Sequence, residues 1–228
     1  MRYSLLLSDV DNTLYDFRSA ERAAFAAVSA RFALPDDPAV FSLYQEINKK
    51  HWQLLDRGET TSQSLRTDRF ADFALAMGLD SATVPAMSAL YVRTLGEQRL
   101  PVAGAEDFLR RVTAHMPVCL VTNGFTDVQR PRLQASPLRR YFTDVLISEE
   151  FAYPKPHPEM IRTAMARMGV LDPARVVMIG DNEATDILAA RNAGVYSVLF
   201  APGGPPEHTD ADYAAATLKA AADWILDE

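Results

Sequence analysis

The feature that most constrains this chain is a set of short apolar runs, rich in β-branched residues or leucine, each closed by polar or turn-forming residues. Residues 3–8 (YSLLLS), 118–122 (VCLVT), 144–147 (DVLI), 176–179 (VVMI) and 196–199 (YSVL) form these runs. From 118 onward, successive runs are separated by single stretches of helical spacing, at 127–135, 159–168 and 183–193. A strand buried on both faces reads as a continuous apolar run rather than an alternating one, and strands joined through single helices imply right-handed crossovers. The pattern therefore predicts an α/β fold: a Rossmann-like parallel sheet with helices on both faces, with further helices at 106–114 and 213–226.

Between the first and second runs the pattern changes. Residues 19–32, 40–56, 62–77 and 81–95 have apolar positions at helical spacing and no convincing strand between them. Ser19, Ser62 and Ser81 stand where helix caps are expected, and Gly58 and Gly78 follow two of the predicted ends. This reads as an all-helical cap domain inserted into the sheet domain, with boundaries at 1–16 and 101–228 for the core and 17–100 for the cap. No internal repeat or low-complexity linker interrupts the pattern, and the Pro- and Gly-rich stretch 201–206 is a single loop.

Composition narrows the function. With 228 residues, 48% of them hydrophobic, the chain suffices for one core and a smaller satellite. A formal net charge of −7 argues against a nucleic-acid polymer as partner, because such binders carry basic surface to displace counterions. A small anionic substrate remains compatible with it. Cys119, the sole cysteine, lies inside an apolar run and reads as a buried thiol, so no internal disulfide forms. The first apolar run is broken by Ser8 and Asp9, short of a signal-peptide core, and no run approaches the roughly 18 to 20 apolar residues of a membrane span. The expected compartment is the cytoplasm, and the expected state is a monomer or homodimer.

In an open α/β sheet, ligand-handling residues gather in the crevice beyond the carboxyl ends of the strands. Asp9, Thr122-Asn123 and Asp181 fall just past the last apolar residues of three separate predicted strands, so one crevice can collect them. Asp9 and Asp11 are spaced to face one side of an extended backbone, and two close carboxylates call for a cation between them or a proton on one. With a hard, oxygen-preferring ion such as Mg²⁺, one carboxylate can serve as ligand and nucleophile while the other handles protons. Thr122-Asn123-Gly124 offers donors to an anion. Lys155, among Pro154, Pro156 and Pro158, suits an ammonium held beside a phosphoryl group, and Asp186 follows Asp181 at a helix entrance. Each segment alone is also what an ordinary turn, loop or helix start requires.

Taken together, DVDNTL (residues 9–14), VTNG (121–124), the lysine of PKP at 155 and GDNEATD (180–186) resemble the motifs of the haloacid dehalogenase superfamily, in its order and over nearly the whole chain. The resemblance is to its phosphatases of subfamily I with a C1-type helical cap. It implies that Asp9 is the nucleophile, forming an aspartyl-phosphate, and that Asp11 is the general acid and base. It further implies that Thr122, Asn123 and Lys155 bind the phosphoryl group. Mg²⁺ would be held by Asp9, the Asp11 backbone carbonyl and Asp181, with Asp186 in support. An acid at position 11 favours phosphate esters over haloacids. The segment from Tyr44 to Phe70 is similar to the cap of the YjjG/YfnB-type branch, which implies a pyrimidine-preferring nucleoside 5′-monophosphatase with a house-cleaning role. Phe17, His51 and Trp52 are the candidates for the substrate entrance, whereas Arg66 and Arg69 read as solvated or ion-paired. A sugar-phosphate or phosphoglycolate phosphatase is the alternative substrate reading, and a catalytically silent binding protein is the alternative from another class.

Overall fold

The computed structural model describes residues 2–227. A six-stranded sheet runs in the order β3-β2-β1-β4-β5-β6, with every neighbouring pair parallel. Its strands are β1 (Leu5–Ser8), β2 (Val118–Thr122), β3 (Asp144–Ile147), β4 (Val176–Gly180), β5 (Tyr196–Phe200) and β6 (Tyr213–Ala215). The apolar runs become strands because both faces are covered. Leu6 faces one buried cluster with residues of α5 (Ala105–Thr113) and α9 (Leu218–Asp227). Leu5 and Leu7 face a second cluster with α7 (Glu159–Arg167) and α8 (Leu188–Ala193). The strand period of two thus sends consecutive leucines to opposite layers.

The predicted last helix over 213–226 is corrected by the structure. Its first residues form the edge strand β6, and the helix starts only at Leu218. The alanine-rich sequence suits a helix, but tertiary pairing overrides it. Ala201 N donates to Ala215 O at 2.8 Å, the Asp212 carboxylate accepts from both Ser197 N and Oγ, and the Tyr213 ring stacks on Trp224 at 5.2 Å.

Four helices fill the stretch between β1 and β2: α1 (Phe17–Phe32), α2 (Pro38–Asp56), α3 (Ser62–Ala76) and α4 (Val84–Gly96). They enclose a third cluster around Phe25, Tyr44, Phe70, Phe73 and Tyr91, whose rings pack stacked or edge-on. Phe125 and Val128, at the start of α6 (Thr126–Gln134), belong to that same cluster, so the bundle rests on the sheet domain through α6. The expected serine caps are also corrected. Asp16 accepts from Ser19 N, Thr61 from Ser64 N and Asp80 from Ala82 N, so the capping oxygen lies one to three residues before each expected serine. In each case the serine already lies inside the helical turn, while the preceding acceptor keeps the non-helical backbone that a cap requires.

The chain leaves for the bundle and returns from it at one place. Tyr15 bridges to Pro101, Asp16 N donates to Leu100 O at 2.9 Å, and Val102 N donates to Leu14 O at 2.9 Å. Among the described residues, no helix is long and apolar enough to cross a membrane.

Candidate active site

Strand order reverses between β1 and β4: the chain leaves β1 for β2 on one side and β4 for β5 on the other, which opens a crevice beyond the carboxyl ends of these strands. Asp9 enters the crevice from β1, Asn123 from β2 and Asp181 from β4, whereas Thr122, the buried last residue of β2, does not line the cavity there. Beyond Asp9 the chain turns tightly: Asn12 takes φ +59°, a left-handed conformation that asparagine tolerates better than most residues, and Asn12 N donates to Tyr15 O. This turn sets Asp11 beside Asp9 on the wall of one cavity.

Lys155 is the hub. Its Nζ lies 2.6 Å from Asp9 Oδ1 and 2.6 Å from Asp186 Oδ1, and its side chain is only 1% exposed. Its loop is fixed by Asn123, whose Nδ2 donates to Lys155 O at 2.8 Å while its Oδ1 accepts from Lys155 N at 2.9 Å. The Asn123 side chain is thereby committed to positioning the lysine. Thr122 Oγ1 is different: it is buried and has no hydrogen-bond partner. A buried hydroxyl left in that state is costly unless a ligand completes it.

Asp186 reaches the site by crossing directly over Gly180. A Cβ built on Gly180 would stand 2.3 Å from the Asp186 Cγ, so only glycine leaves the carboxyl room to pass. Both Asp186 oxygens are engaged, Oδ1 by Lys155 and Oδ2 by the backbone N–H of Asn182 at 3.1 Å. Asn182 also caps the following helical turn through Ala184 N and Thr185 N, which holds the Asp181–Asp186 segment in register.

The electrostatics follow from packing three carboxylates around one ammonium. Burial pushes the Asp9 carboxyl well above the usual carboxylate range; Lys155 opposes this, while Asp186, Asp181 and Asp11 add to it. Burial, reinforced by Asp186 and opposed by Lys155, raises Asp181 to about 7. Burial would lower the Lys155 pKa, but Asp186 and Asp9 outweigh it and raise the ammonium above its ordinary value. Asp9, Asp181 and Asp186 bring one oxygen each to within 4.8 Å of one another. An all-oxygen donor set with more negative charge than Lys155 neutralises fits a hard divalent cation such as Mg²⁺.

Asp11 lies outside that triplet. Its Oδ1 accepts from Arg132 Nη1 at 2.6 Å and its Oδ2 from Gln129 Nε2 at 2.7 Å, both from α6. Arg132 and Gln129 are buried, and neither is singled out by any sequence motif. Their one sequence signal is position: with Val128 and Leu133 they form the buried face of α6, where an arginine and a glutamine need partners.

The cavity, about 280 Å³, extends from Asp9, Asp11, Lys155 and Asp181 to the bundle, where Asn48, Trp52, Asp56 and Arg69 line it. Of the expected entrance residues, Phe17 and Trp52 line this cavity, and the Trp52 ring stacks on Phe125 at 5.3 Å. His51 does not line it; its Nε2 lies 2.9 Å from Asp72 Oδ2 instead. Arg66 is ion-paired as expected, gripping both oxygens of Glu149 and one of Asp127. Arg69 departs from expectation, being buried and joined to the Asn48 side-chain oxygen rather than to solvent or, among the described residues, to a carboxylate. Its charge points to solvent, but helical spacing places it between Leu65 and Phe73 on the buried face of α3, where α2 and α4 pack.

The family model for haloacid dehalogenase-like hydrolases matches residues 3–194. The chain is similar to the pyrimidine 5′-nucleotidase YjjG of Escherichia coli (strain K12), at 30% identity over 197 residues, covering 86% of this chain and 84% of that protein. It is similar to the pyrimidine 5′-nucleotidase PynA of Streptococcus pneumoniae at 29% identity, covering 92% of this chain and 89% of that protein. Among solved structures it resembles the magnesium-bound HAD-hydrolase YfnB of Bacillus subtilis, with a TM-score of 0.88, 26% identity and 99% of each chain covered.

Proposed function

Because the chain belongs to the haloacid dehalogenase-like hydrolases, we propose that its cleft hydrolyses nucleoside 5′-monophosphates, preferring pyrimidines, with Mg²⁺ bound and through an aspartyl-phosphate on Asp9. The chain is a phosphatase of that family, with pyrimidine 5′-nucleotidases among its relatives. The observation that carries the finer reading is the continuity of the cavity. One end holds the Asp9–Lys155–Asp186 cluster, which suits a phosphoryl group, and its bundle wall presents Trp52, Asn48 and Arg69, which suit a flat polar ring.

In the proposed reaction the Asp9 carboxylate attacks phosphorus, the bond from phosphorus to the 5′-oxygen breaks, and Asp11 delivers a proton to that oxygen. Asp11 then takes a proton from water as the water displaces Asp9 from phosphorus, returning both carboxyl groups to their starting states. Gln129 and Arg132, each donating to one Asp11 oxygen, fix the orientation of that carboxyl group. Lys155 offsets charge on the phosphoryl oxygens, the unpartnered Thr122 hydroxyl has a donor to offer them, and Asn123 keeps the lysine loop in place. Asp9, Asp181 and the Asp11 backbone carbonyl would hold Mg²⁺, with Asp186 behind them, and the ion would neutralise developing charge on the phosphoryl group.

The test is phosphate release, with and without Mg²⁺, from dUMP, UMP, dTMP, AMP, a sugar phosphate and phosphoglycolate. Metal-dependent release that favours the pyrimidine monophosphates is expected. Preference for a sugar phosphate or phosphoglycolate would overturn the substrate reading. Asp9→Asn should abolish release while leaving the circular dichroism spectrum intact, and undiminished hydrolysis would remove Asp9 as nucleophile.

A further inference from the structure

The bundle wall of the cavity carries a buried cation whose donors are only partly used. Arg69, 2% exposed, lines the cavity from α3. Its Nη1 donates to Asn48 Oδ1 at 3.0 Å, and Asn48 Nδ2 donates to Glu21 Oε1 at 2.9 Å. Gln45 Nε2 holds the other Glu21 oxygen at 3.0 Å. This chain fixes the orientation of the Asn48 amide and, through it, one arm of the guanidinium. The guanidinium Cζ lies over the Tyr91 ring, 4.7 Å from its centroid, and 5.6 Å from that of Phe125. Nε and Nη2, however, are buried without any hydrogen-bond partner.

Leaving two donors of a charged group unpaired in the interior costs free energy that a ligand acceptor would recover. The guanidinium is planar and always charged, so it presents those donors as a fixed fork rather than as a swivelling point charge. Arg69 shares the cavity wall with Trp52 and Phe125, so a hydrogen-bonding side chain and aromatic faces border one space, the combination by which proteins hold a nucleobase.

We propose that Arg69 is the residue that selects the base, donating from Nε and Nη2 to the ring carbonyl oxygen that every pyrimidine nucleotide carries and adenine lacks. The inference rests on the nucleotidase reading and goes beyond it by assigning the discrimination to one side chain held by Asn48 and Glu21. A base without a carbonyl leaves the fork unpaired, and that asymmetry is what discriminates. A site built to pair a polar group rejects an analogue that lacks it more strongly than an apolar pocket rejects a poor shape.

The experiment compares kcat/KM for dUMP with that for ribose 5-phosphate, which has no base, in the parent, Arg69→Met and Arg69→Lys. One hydrogen-bonding arrangement to a charged donor is worth about ten- to a hundred-fold, so the dUMP to ribose 5-phosphate ratio should fall by that factor in Arg69→Met, chiefly through KM. Arg69→Lys keeps the charge and most of the stem, and should lose an intermediate share because an ammonium cannot reproduce the fork. Uridine, which carries the base but no phosphate, should lose inhibitory strength in Arg69→Lys relative to inorganic phosphate; this comparison carries the test if Arg69→Met does not fold. An unchanged ratio overturns the inference, whatever happens to absolute activity. So does a loss on phosphoglycolate as large as on dUMP, which would make Arg69 a reader of a second anionic group. A parent enzyme that does not prefer dUMP over ribose 5-phosphate removes the nucleotidase reading and this inference with it. A parent that does prefer dUMP, with a variant equally weakened on both, removes this inference alone.

Discussion

Gly180→Ala should be far more damaging than adding one methyl group suggests, and the structure gives the reason. Gly180 ends β4 with ordinary backbone angles, so left-handed strain is not at issue. The new Cβ would lie 2.3 Å from Cγ and Oδ2 of Asp186 and 2.4 Å from its Cβ, whereas ordinary contact begins at 3.4 Å. Asp186 must therefore retreat by about an ångström. It cannot do so freely, because Oδ1 holds Lys155 at 2.6 Å and Oδ2 holds Asn182 N at 3.1 Å. Overpacking costs about 1–3 kcal/mol and a weakened hydrogen bond to a charged group up to about 1.5–3 kcal/mol, so a loss of about 2–5 kcal/mol is expected. For a chain of this length that corresponds to a fall in Tm of very roughly 5–15 °C. Urea titration and thermal melts with EDTA present measure it, and a double-mutant cycle isolates the cause. In an Asp186→Gly background the obstructing side chain is gone, so adding Gly180→Ala should cost under about 1 kcal/mol. An equal cost in both backgrounds would refute the reasoning and show that Gly180 is required for some other reason.

Other expectations follow from the same cluster and its surroundings. Lys155→Met leaves Asp9 and Asp186 buried without their ammonium and should cost about 3–5 kcal/mol at pH 8 in EDTA. The loss should shrink at pH 5, where a carboxyl can take up a proton; equal losses at the two pH values would contradict the assignment. Asp181 is raised to about 7, so its contribution to the metal-free fold is fully present below the ordinary carboxylate range and is lost as pH climbs through about 7, by up to about 1.4 kcal/mol per pH unit. Asp181→Asn, neutral throughout, should accordingly be at least about 1 kcal/mol more stable than the parent at pH 8 in EDTA, and no more stable at pH 4, by urea titration. Because the carboxylate must lose its proton to bind a cation, apparent Mg²⁺ affinity should rise about tenfold per pH unit up to about 7 and then level off, as isothermal titration calorimetry would report. The Arg66–Glu149 pair joins α3 to the turn after β3, and an Arg66→Ala/Glu149→Ala cycle should give a coupling of about 1–2 kcal/mol; additive losses would make it an idle contact.

The legible part of the fold was the part written in contiguous residues. β1, β2, β4 and β5 bury nearly continuous apolar runs and β3 buries its Leu146-Ile147 end, so sequence and environment agree, whereas β6 is a short edge strand held by its pairing with β5, the Asp212 contact to Ser197 and the Tyr213 stack on Trp224. A local pattern carries no trace of that pairing, and the alanines after Tyr213 point to helix instead. The site divides along the same line. Asp9, Thr122, Asn123 and Asp181 follow strand ends, and strand ends are visible. Its prolines mark Lys155, although nothing in the sequence shows its clasp by Asn123. Arg132 and Gln129 meet Asp11 from more than a hundred positions away, and Arg69 reads as solvated or ion-paired because its charge points to solvent, although helical spacing sets it with Leu65 and Phe73 on the face that other helices cover.

The paired segments at Tyr15 and Pro101 carry a consequence for how such a molecule can change over time. Departure and return are stitched together before the bundle begins, so the sheet meets the inserted helices as it would a closed hairpin, whatever lies beyond the stitch. Lengthening or trimming that excursion re-registers no strand so long as the helices packed on Phe125 and Val128 remain, because α6 carries the two partners of Asp11. The chemistry is thus insulated from experiments in substrate choice, and a lineage can try new leaving groups one excursion at a time while the machinery that breaks the bond to phosphorus stays as it is.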